Sequence, residues 1–358
     1  MNPNLIPAPD VLGLPSPAPL LLALMAVTLA IHWLFIGASV GSTAMVLLCS
    51  LRRNQAAAGA AQALLTFLPF LLSMGVTMGI APLLFVQVLY GNYFYSSNVL
   101  LAWPWLSIVP LVIGNLYLFY AARARLKAGK NLGLALPSVM AAVFVVLAAA
   151  LAGNSTLTQC PWAWQSMYAH NGMRLFLGDM TGVRLAFALT GFVTFGAYVA
   201  AVLARAGLLR GVEDSYGFAR RSLALAIAAA IGQIIAGAAL LRAVPVEHRE
   251  GIASHWTSIF TFAGGAAVVV MPLLLLAARR KGRWPLLIAP GVVALVGAIG
   301  IAAARDLLRR AYLADYFSVK TIPVHPQWGG FVFFAVFVVL GLAAVVVLLK
   351  LAASRPKA

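Results

Sequence analysis

Long apolar runs alternate along the chain with short loops that carry nearly all of the charged residues. Each run is at least about 18 residues long, which is the length that an α-helix needs to cross the hydrocarbon core of a bilayer. We therefore predict an all-α fold, a polytopic membrane protein with about nine transmembrane helices arranged in bundles. The predicted helices cover residues 19–50, 61–90, 99–122, 132–151, 180–203, 222–241, 257–278, 284–304 and 329–351.

The composition excludes an ordinary soluble domain. Of the 358 residues, 63% are hydrophobic and only 9% are charged. Soluble domains carry about 25% charged residues, because their surface must face water. The loops are also too short to hold a separate soluble domain.

The net charge of +17 is explained by where the basic residues lie in the chain. Most of the 25 Lys and Arg follow helices one, three, five and seven or lie in the C-terminal tail. Positive residues favour cytoplasmic loops and contact anionic lipids, so we predict an N-terminus outside and a C-terminus in the cytoplasm. A basic outer loop at 305–328 is the exception. A nucleic-acid partner is excluded, since no soluble basic surface is available.

The same pattern divides the chain into segments. An outer N-terminal extension precedes two four-helix membrane bundles, which are separated by an outer loop, and a basic outer loop precedes the last helix and the cytoplasmic tail. These segments cover residues 1–18, 19–151, 152–179, 180–304, 305–328 and 329–358.

Charged groups within the predicted helices are few, although such groups often mark function in membrane proteins. All eight acidic residues are predicted to lie in loops or at helix ends, so no proton relay of buried carboxylates is expected. Arg184, one turn into the fifth helix, is expected to pair with Asp179. The run 305–310 resembles an amphipathic outer turn that could dock a partner or a lipid phosphate through its arginines.

His32 is the exception, because it lies well inside the first helix. A neutral imidazole there could ligate a haem iron, with Gly37 and Gly41 leaving room for the porphyrin. With no second histidine at this depth, the site would have one axial ligand or a methionine partner, Met74 or Met78. The alternative is a histidine hydrogen-bonded to a neighbouring helix.

Aromatic and histidine residues of the outer loops suggest less specific sites. The aromatic residues could hold a quinone ring, or they form the aromatic belt of the membrane interface. The histidines match no metal-ligand spacing, so solvated side chains are expected. These residues are Trp162, Trp164, Tyr168, Trp256 and Trp328, with His170, His248, His255 and His325.

Three stretches, in order, resemble subunit I of cytochrome bd-type quinol oxidases. The first is His32 in the first helix. The second is the glycine-rich segment 74–79, together with residues 85–87 and the aromatic segment 90–93. The third is the cytoplasmic start of the sixth helix at 217–226. The resemblance implies nine helices in a bacterial inner membrane, with His32 at the position of a haem ligand.

The departures from that family limit what the resemblance implies. Ala186 stands where a second haem-ligating histidine is expected, and 257–270 lacks the methionine ligand near an arginine. The buried glutamates of the family are missing from 99–120 and 286–304. The quinol-binding loop after helix six is short. Three haems therefore cannot be held, and a standard oxygen reductase is not expected.

The resemblance implies an integral membrane subunit of an electron-transfer complex with at most one haem b. Its expected partners are membrane lipids and other subunits of a quinol-linked respiratory complex, including an outer-face cytochrome, with quinone binding left open. A haem-free anchoring or assembly subunit is the first alternative. A membrane transporter is the second, because helices interrupted by prolines suit substrate sites.

Overall fold

The computed structural model describes residues 6–8, 11–52, 54–169, 175–178, 180–253 and 257–330, with scattered positions up to 347. Eleven α-helices make up nearly all of this part, and the described residues contain no strand beyond one isolated bridge between Leu14 and Val324. The helices are α1 (Ala18–Arg52), α2 (Gln55–Leu101), α3 (Trp103–Leu106), α4 (Ile108–Lys127), α5 (Ala135–Gln159), α6 (Trp164–Tyr168), α7 (Thr181–Arg205), α8 (Ser215–Ala243), α9 (Val246–Ala253), α10 (Ser258–Lys281) and α11 (Trp284–Leu313).

Eight of the described helical segments are long and apolar enough to cross a membrane, with α3 and α4 counted as one. They correspond in order to the first eight predicted helices, which confirms the all-α membrane fold. The ninth predicted helix, 329–351, falls largely outside the described residues. The positions that are described between 328 and 347 are helical.

Several helix boundaries differ from the prediction. The prediction of a turn at 91–98, between the second and third helices, is wrong. Helix α2 continues to Leu101, with non-helical φ and ψ only at Tyr90. The chain reverses instead at Ala102, whose φ is +39°. No proline or glycine interrupts residues 301–313, so α11 extends through Leu313 into the predicted outer loop. Part of the loop predicted after the sixth helix also folds, as α9.

Helix α1 packs against α2, α7 and α11. Its contact with α7 is a close backbone approach, because a Cβ added to Gly41 would lie 2.5 Å from the Cα of Gly196. Small residues at such crossings let membrane helices approach and gain van der Waals contact. The α1–α7 contact joins the first group of four spanning helices to the second.

The start of the chain pairs with the segment that follows α11. The Leu14 N–H donates to the Pro323 carbonyl at 2.8 Å, and the His325 N–H donates to the Leu14 carbonyl at 2.8 Å. Both segments therefore lie at one end of the bundle. The opposite end carries basic residues in the last turns of four helices, namely Arg52, Lys127, Arg205 and Lys281.

A hydrogen bond from a neighbouring helix lies close to a proline within α11. Pro290 cannot donate a main-chain hydrogen bond. One turn earlier, the Leu287 carbonyl accepts a hydrogen bond from the Tyr198 hydroxyl of α7 at 2.6 Å. A neighbouring helix thus supplies a donor near the proline, as expected in a bilayer.

Candidate functional site

His32 of α1 lies against α2. Its Nδ1 donates to the Gly75 carbonyl at 2.7 Å, since a carbonyl oxygen only accepts. This bond fixes the tautomer with the proton on Nδ1 and leaves the lone pair of Nε2 available. Within the described part of the chain, Nε2 makes no hydrogen bond. The alternative predicted for His32, a histidine hydrogen-bonded to a neighbouring helix, is thereby confirmed. Histidines that ligate metals also usually donate their other nitrogen in this way.

The glycines around His32 are occupied by protein atoms. A Cβ on Gly79 would lie 2.8 Å from His32 Nδ1, and one on Gly75 would lie 2.6 Å from the Ile36 side chain. On the other face of α1, Gly37 contacts Phe192 and Gly41 contacts Gly196, both in α7. The expectation that Gly37 and Gly41 leave room for a porphyrin is therefore wrong, because α7 fills that space.

These contacts test whether the residues fit a haem. The imidazole fits one axial ligand through Nε2, but the interface between α1 and α2 is too tight to admit a porphyrin. Met74 and Met78 directly precede Gly75 and Gly79, the two glycines of that interface. Since successive residues of an α-helix are rotated by about 100°, the methionine side chains point away from the contact with α1. Both methionines are half-buried, and their role as a second ligand stays a prediction.

A cavity of about 130 Å³ lies between α1, α7, α8, α10 and α11. Its wall is mainly apolar and includes Trp33, Phe192 and Met271, with Thr194, Tyr198 and Gln233 as its polar residues. This volume is close to that of a cavity of about 150 Å³ that binds benzene. The cavity therefore suits a single small ring and is too small for a porphyrin.

A second polar centre lies near the end of the bundle where α11 terminates. The Tyr90 hydroxyl donates to Asp306 Oδ1 at 2.7 Å. Asp306 Oδ2 lies 3.0 Å from Arg310 Nε, and Oδ1 lies 3.6 Å from Arg309 Nη1. The Arg309 guanidinium also covers the Tyr90 ring at 4.6 Å. Asp306 is 4% exposed and Arg309 is 2% exposed, so both charges are buried.

Two further arginines join this centre through the last turns of α5. Arg305 donates to the Ser155 hydroxyl at 2.8 Å. Arg184 donates to the Thr156 hydroxyl at 3.0 Å and to Gln159 Oε1 at 2.7 Å. We use the name arginine cluster for the set Arg184, Arg305, Arg309 and Arg310 with Asp306 and Tyr90.

The arginine cluster corrects two expectations. The run 305–310 is part of a buried helix and not an outer turn, and Asp306 is a carboxylate within the bundle. The signal was present in the sequence, since Asp306 is followed by arginines three and four positions later, the spacing of one helix face. Arg184 contacts α5, while its expected partner Asp179 lies outside the described residues.

The described aromatic residues of the outer loops lie in different environments. Trp164 is buried and donates to the Leu157 carbonyl at 3.0 Å, whereas Tyr168 is 78% exposed. Trp162 stacks on Tyr312 at 6.2 Å, and His248 lies 4.2 Å from the same ring. Trp256, His170 and His255 lie outside the described residues. Among the described residues, no three His, Cys, Asp or Glu side chains form a metal-binding group.

Both cysteines, Cys49 and Cys160, are buried, and no disulfide joins them. Cys49 lies near the end of α1, whereas Cys160 directly follows α5.

The comparisons with known proteins rest on structure. No protein-family model and no curated protein sequence matches this chain. Its fold is similar to a chain in the structure of bd oxidase from Geobacillus thermodenitrificans, with a TM-score of 0.71 and 13% sequence identity. The match covers 94% of this chain and 99% of that chain. The fold predicted from the resemblance of His32 and the two motifs is thereby confirmed.

Proposed function

We propose that this chain is an integral membrane subunit of a bd-like electron-transfer complex in the bacterial inner membrane. The observation that supports the proposal is the fold shared with a bd oxidase chain over nearly the full length of both. The eight described apolar helices provide the membrane scaffold. The fold alone does not specify the reaction, so the chemistry is argued from the residues.

We further propose that the subunit holds at most one haem b and that Nε2 of His32 would be a ligand of its iron. The Nδ1 contact with Gly75 supports this assignment, because it orients the ring and keeps the Nε2 lone pair free. A b-type haem would supply one-electron transfer at this position. His32 itself would supply one nitrogen ligand to such a haem.

The absence of further haem ligands argues against a standard oxygen reductase. A reductase of the cytochrome bd type needs three haems, and the ligands for the other two are missing around Ala186 and in 257–270. The chain is therefore proposed to pass electrons between quinone and a partner subunit, such as an outer-face cytochrome. Membrane lipids surround the remaining apolar surface.

The proposal is tested on the tagged chain purified in mild detergent from its native membranes. A quinol added to the complex should reduce a b-type haem, measured at its α-band, and co-purifying redox subunits should be identified by mass spectrometry. The His32→Ala variant should keep the partners and lose the b-type signal. Isolation of the wild-type chain without any redox subunit would contradict the proposal.

A haem-free anchoring subunit is the second candidate, and one observation favours it. The four glycines near His32 pack against protein atoms of α1, α2 and α7, as expected of a histidine whose role is helix packing. In that case the purified complex would contain its redox partners while this chain contained no haem. Deletion of the chain would then lower the amount of the partners in the membrane.

A further inference from the structure

We propose that the arginine cluster is a binding site for an oxyanion of the phosphate class. The site lies between α2, α5, α7 and α11. The inference does not rest on the proposed electron-transfer function. It rests on the charge, the burial and the unpaired donors of the cluster.

The charge of the cluster is unbalanced among the described residues. The cluster contains four guanidinium groups and one carboxylate, that of Asp306, which faces Arg309 and Arg310. Arginine stays protonated in proteins, so the excess charge cannot be removed by loss of a proton. The nearby acidic residues Glu247 and Asp315 are exposed and lie outside the cluster. Because buried charge is costly unless paired, the cluster requires additional negative charge.

Unpaired donors show where that charge would bind. Arg309 Nε and Nη1 are buried and have no hydrogen-bond partner, and the same holds for Gln159 Nε2. The 3.6 Å between Arg309 Nη1 and Asp306 Oδ1 is too long for a hydrogen bond. Arg184 contacts Gln159 through its other amide atom, Oε1. The donors without partners therefore belong to Arg309, which faces Asp306, and to Gln159, which binds Arg184.

Two other interactions offset part of the charge but cannot replace an acceptor. The C-terminal end of α5 carries partial negative charge, and Arg184 and Arg305 bind side chains there. The Tyr90 ring lies under the Arg309 guanidinium. Neither interaction gives the Arg309 N–H groups an oxygen. A tetrahedral oxyanion has several acceptor oxygens and suits arginine forks.

The burial of the cluster restricts the source of the oxyanion. Arg309 is 2% exposed, and the Tyr312 ring, flanked by Trp162 and His248, lies on the next turn of α11. The Arg310 side chain is 28% exposed and forms the accessible edge of the cluster. A small anion or the phosphate of a lipid headgroup fits this access. A carboxylate on the surface of a partner protein does not.

The site is also separate from His32. At about 1.5 Å per residue, the stretch of α2 from Gly79 to Tyr90 spans about 16 Å. Tyr90 of the arginine cluster is therefore about three helical turns away from the part of α2 that contacts His32. If the haem proposal or the oxyanion proposal is wrong, the other is unaffected.

The experiment uses the full chain, delipidated in detergent. Thermal unfolding is measured in sodium phosphate and in sodium chloride at matched ionic strength, with inorganic phosphate as the first probe. Phosphatidylglycerol in mixed micelles is the second probe, and ³¹P NMR separates a bound phosphodiester from inorganic phosphate. The variants are Arg309→Gln and Arg305→Gln. The matched control is Arg210→Gln, an exposed arginine in the loop between α7 and α8.

The expected result is a higher melting temperature of the wild type and of Arg210→Gln with one of the two probes. Arg309→Gln and Arg305→Gln should bind that probe about tenfold more weakly or worse, since each loses a charge-assisted contact. Without either probe, Arg309→Gln should unfold at a temperature no lower than the wild type, because it removes one positive charge of a buried excess and Asp306 keeps its contact with Arg310. If neither probe raises the melting temperature of the wild type, or if Arg309→Gln responds as the control does, the proposal is wrong.

Discussion

The Tyr90 hydroxyl of α2 donates to Asp306 of α11 across 216 positions of sequence, at 2.7 Å. Tyr90 is also the residue at which α2 departs from helical geometry, with φ −138° and ψ 31°. The hydrogen bond therefore connects the bend of the longest described helix to the buried charges of α11. Both side chains are buried, so water cannot replace the bond if it is lost.

Replacing Tyr90 by Phe should lower the free energy of unfolding by about 1–3 kcal/mol, because the buried Asp306 loses an uncharged donor while the ring is kept. Denaturant unfolding in detergent measures the change. Tyr95→Phe is the matched control, since Tyr95 is 54% exposed and lies five positions later on the same helix. Equal effects of the two substitutions would contradict the importance of the Tyr90 bond.

Asp306→Asn should have a larger effect than Tyr90→Phe. It removes the carboxylate that Arg309 and Arg310 face, and breaking one partner of a buried ion pair costs about 3–5 kcal/mol. The same unfolding measurement applies, made without phosphate. Asp315→Asn serves as the control, because Asp315 is exposed beyond the end of α11. An Asp306→Asn protein as stable as the wild type would show that Asp306 does not stabilise the arginines.

Gly41→Ala should destabilise the contact between α1 and α7. Its Cβ would lie 2.5 Å from the Gly196 Cα, a backbone atom that can move only with its helix. Overpacking of this kind costs about 1–3 kcal/mol. Gly114→Ala is the matched control within a spanning helix, because its Cβ would meet no atom within 4 Å. Similar melting temperatures for the two variants would contradict the close approach.

The orientation of the chain is tested by cysteine labelling. With an N-terminus outside, Tyr168→Cys should react with a membrane-impermeant maleimide in intact spheroplasts, while Lys130→Cys should react only after permeabilisation. Both positions are exposed. The natural thiols Cys49 and Cys160 are buried, so the background should be low. The reverse pattern of labelling would invert the proposed topology.

Most of the fold could be predicted from the sequence because its main determinant, the length of apolar runs, is local. Eight spanning helices follow in the predicted order, and α1 begins one residue before the predicted start. The turn at 91–98 was predicted wrongly because Gly91 and the following polar residues resemble a loop. They lie instead in a helix that continues past the bend at Tyr90.

The candidate sites were predictable only in part. His32 was identified because a titratable group in an apolar run is rare, but its contact with Gly75 depends on packing between helices. The run 305–310 was assigned to a loop because charged residues usually end a membrane helix. Its pairing with Tyr90 depends on a contact between α2 and α11 that no local pattern encodes.

Haem stoichiometry of the purified chain tests the central claim most directly. A pyridine haemochrome assay on the wild type should give one haem b per chain. His32→Ala should give none, and His325→Ala should keep it, because His325 is an exposed histidine beyond α11 whose backbone makes its contact with Leu14. A wild-type chain without haem, a ratio above one, or haem that remains in His32→Ala would contradict the proposed role of His32.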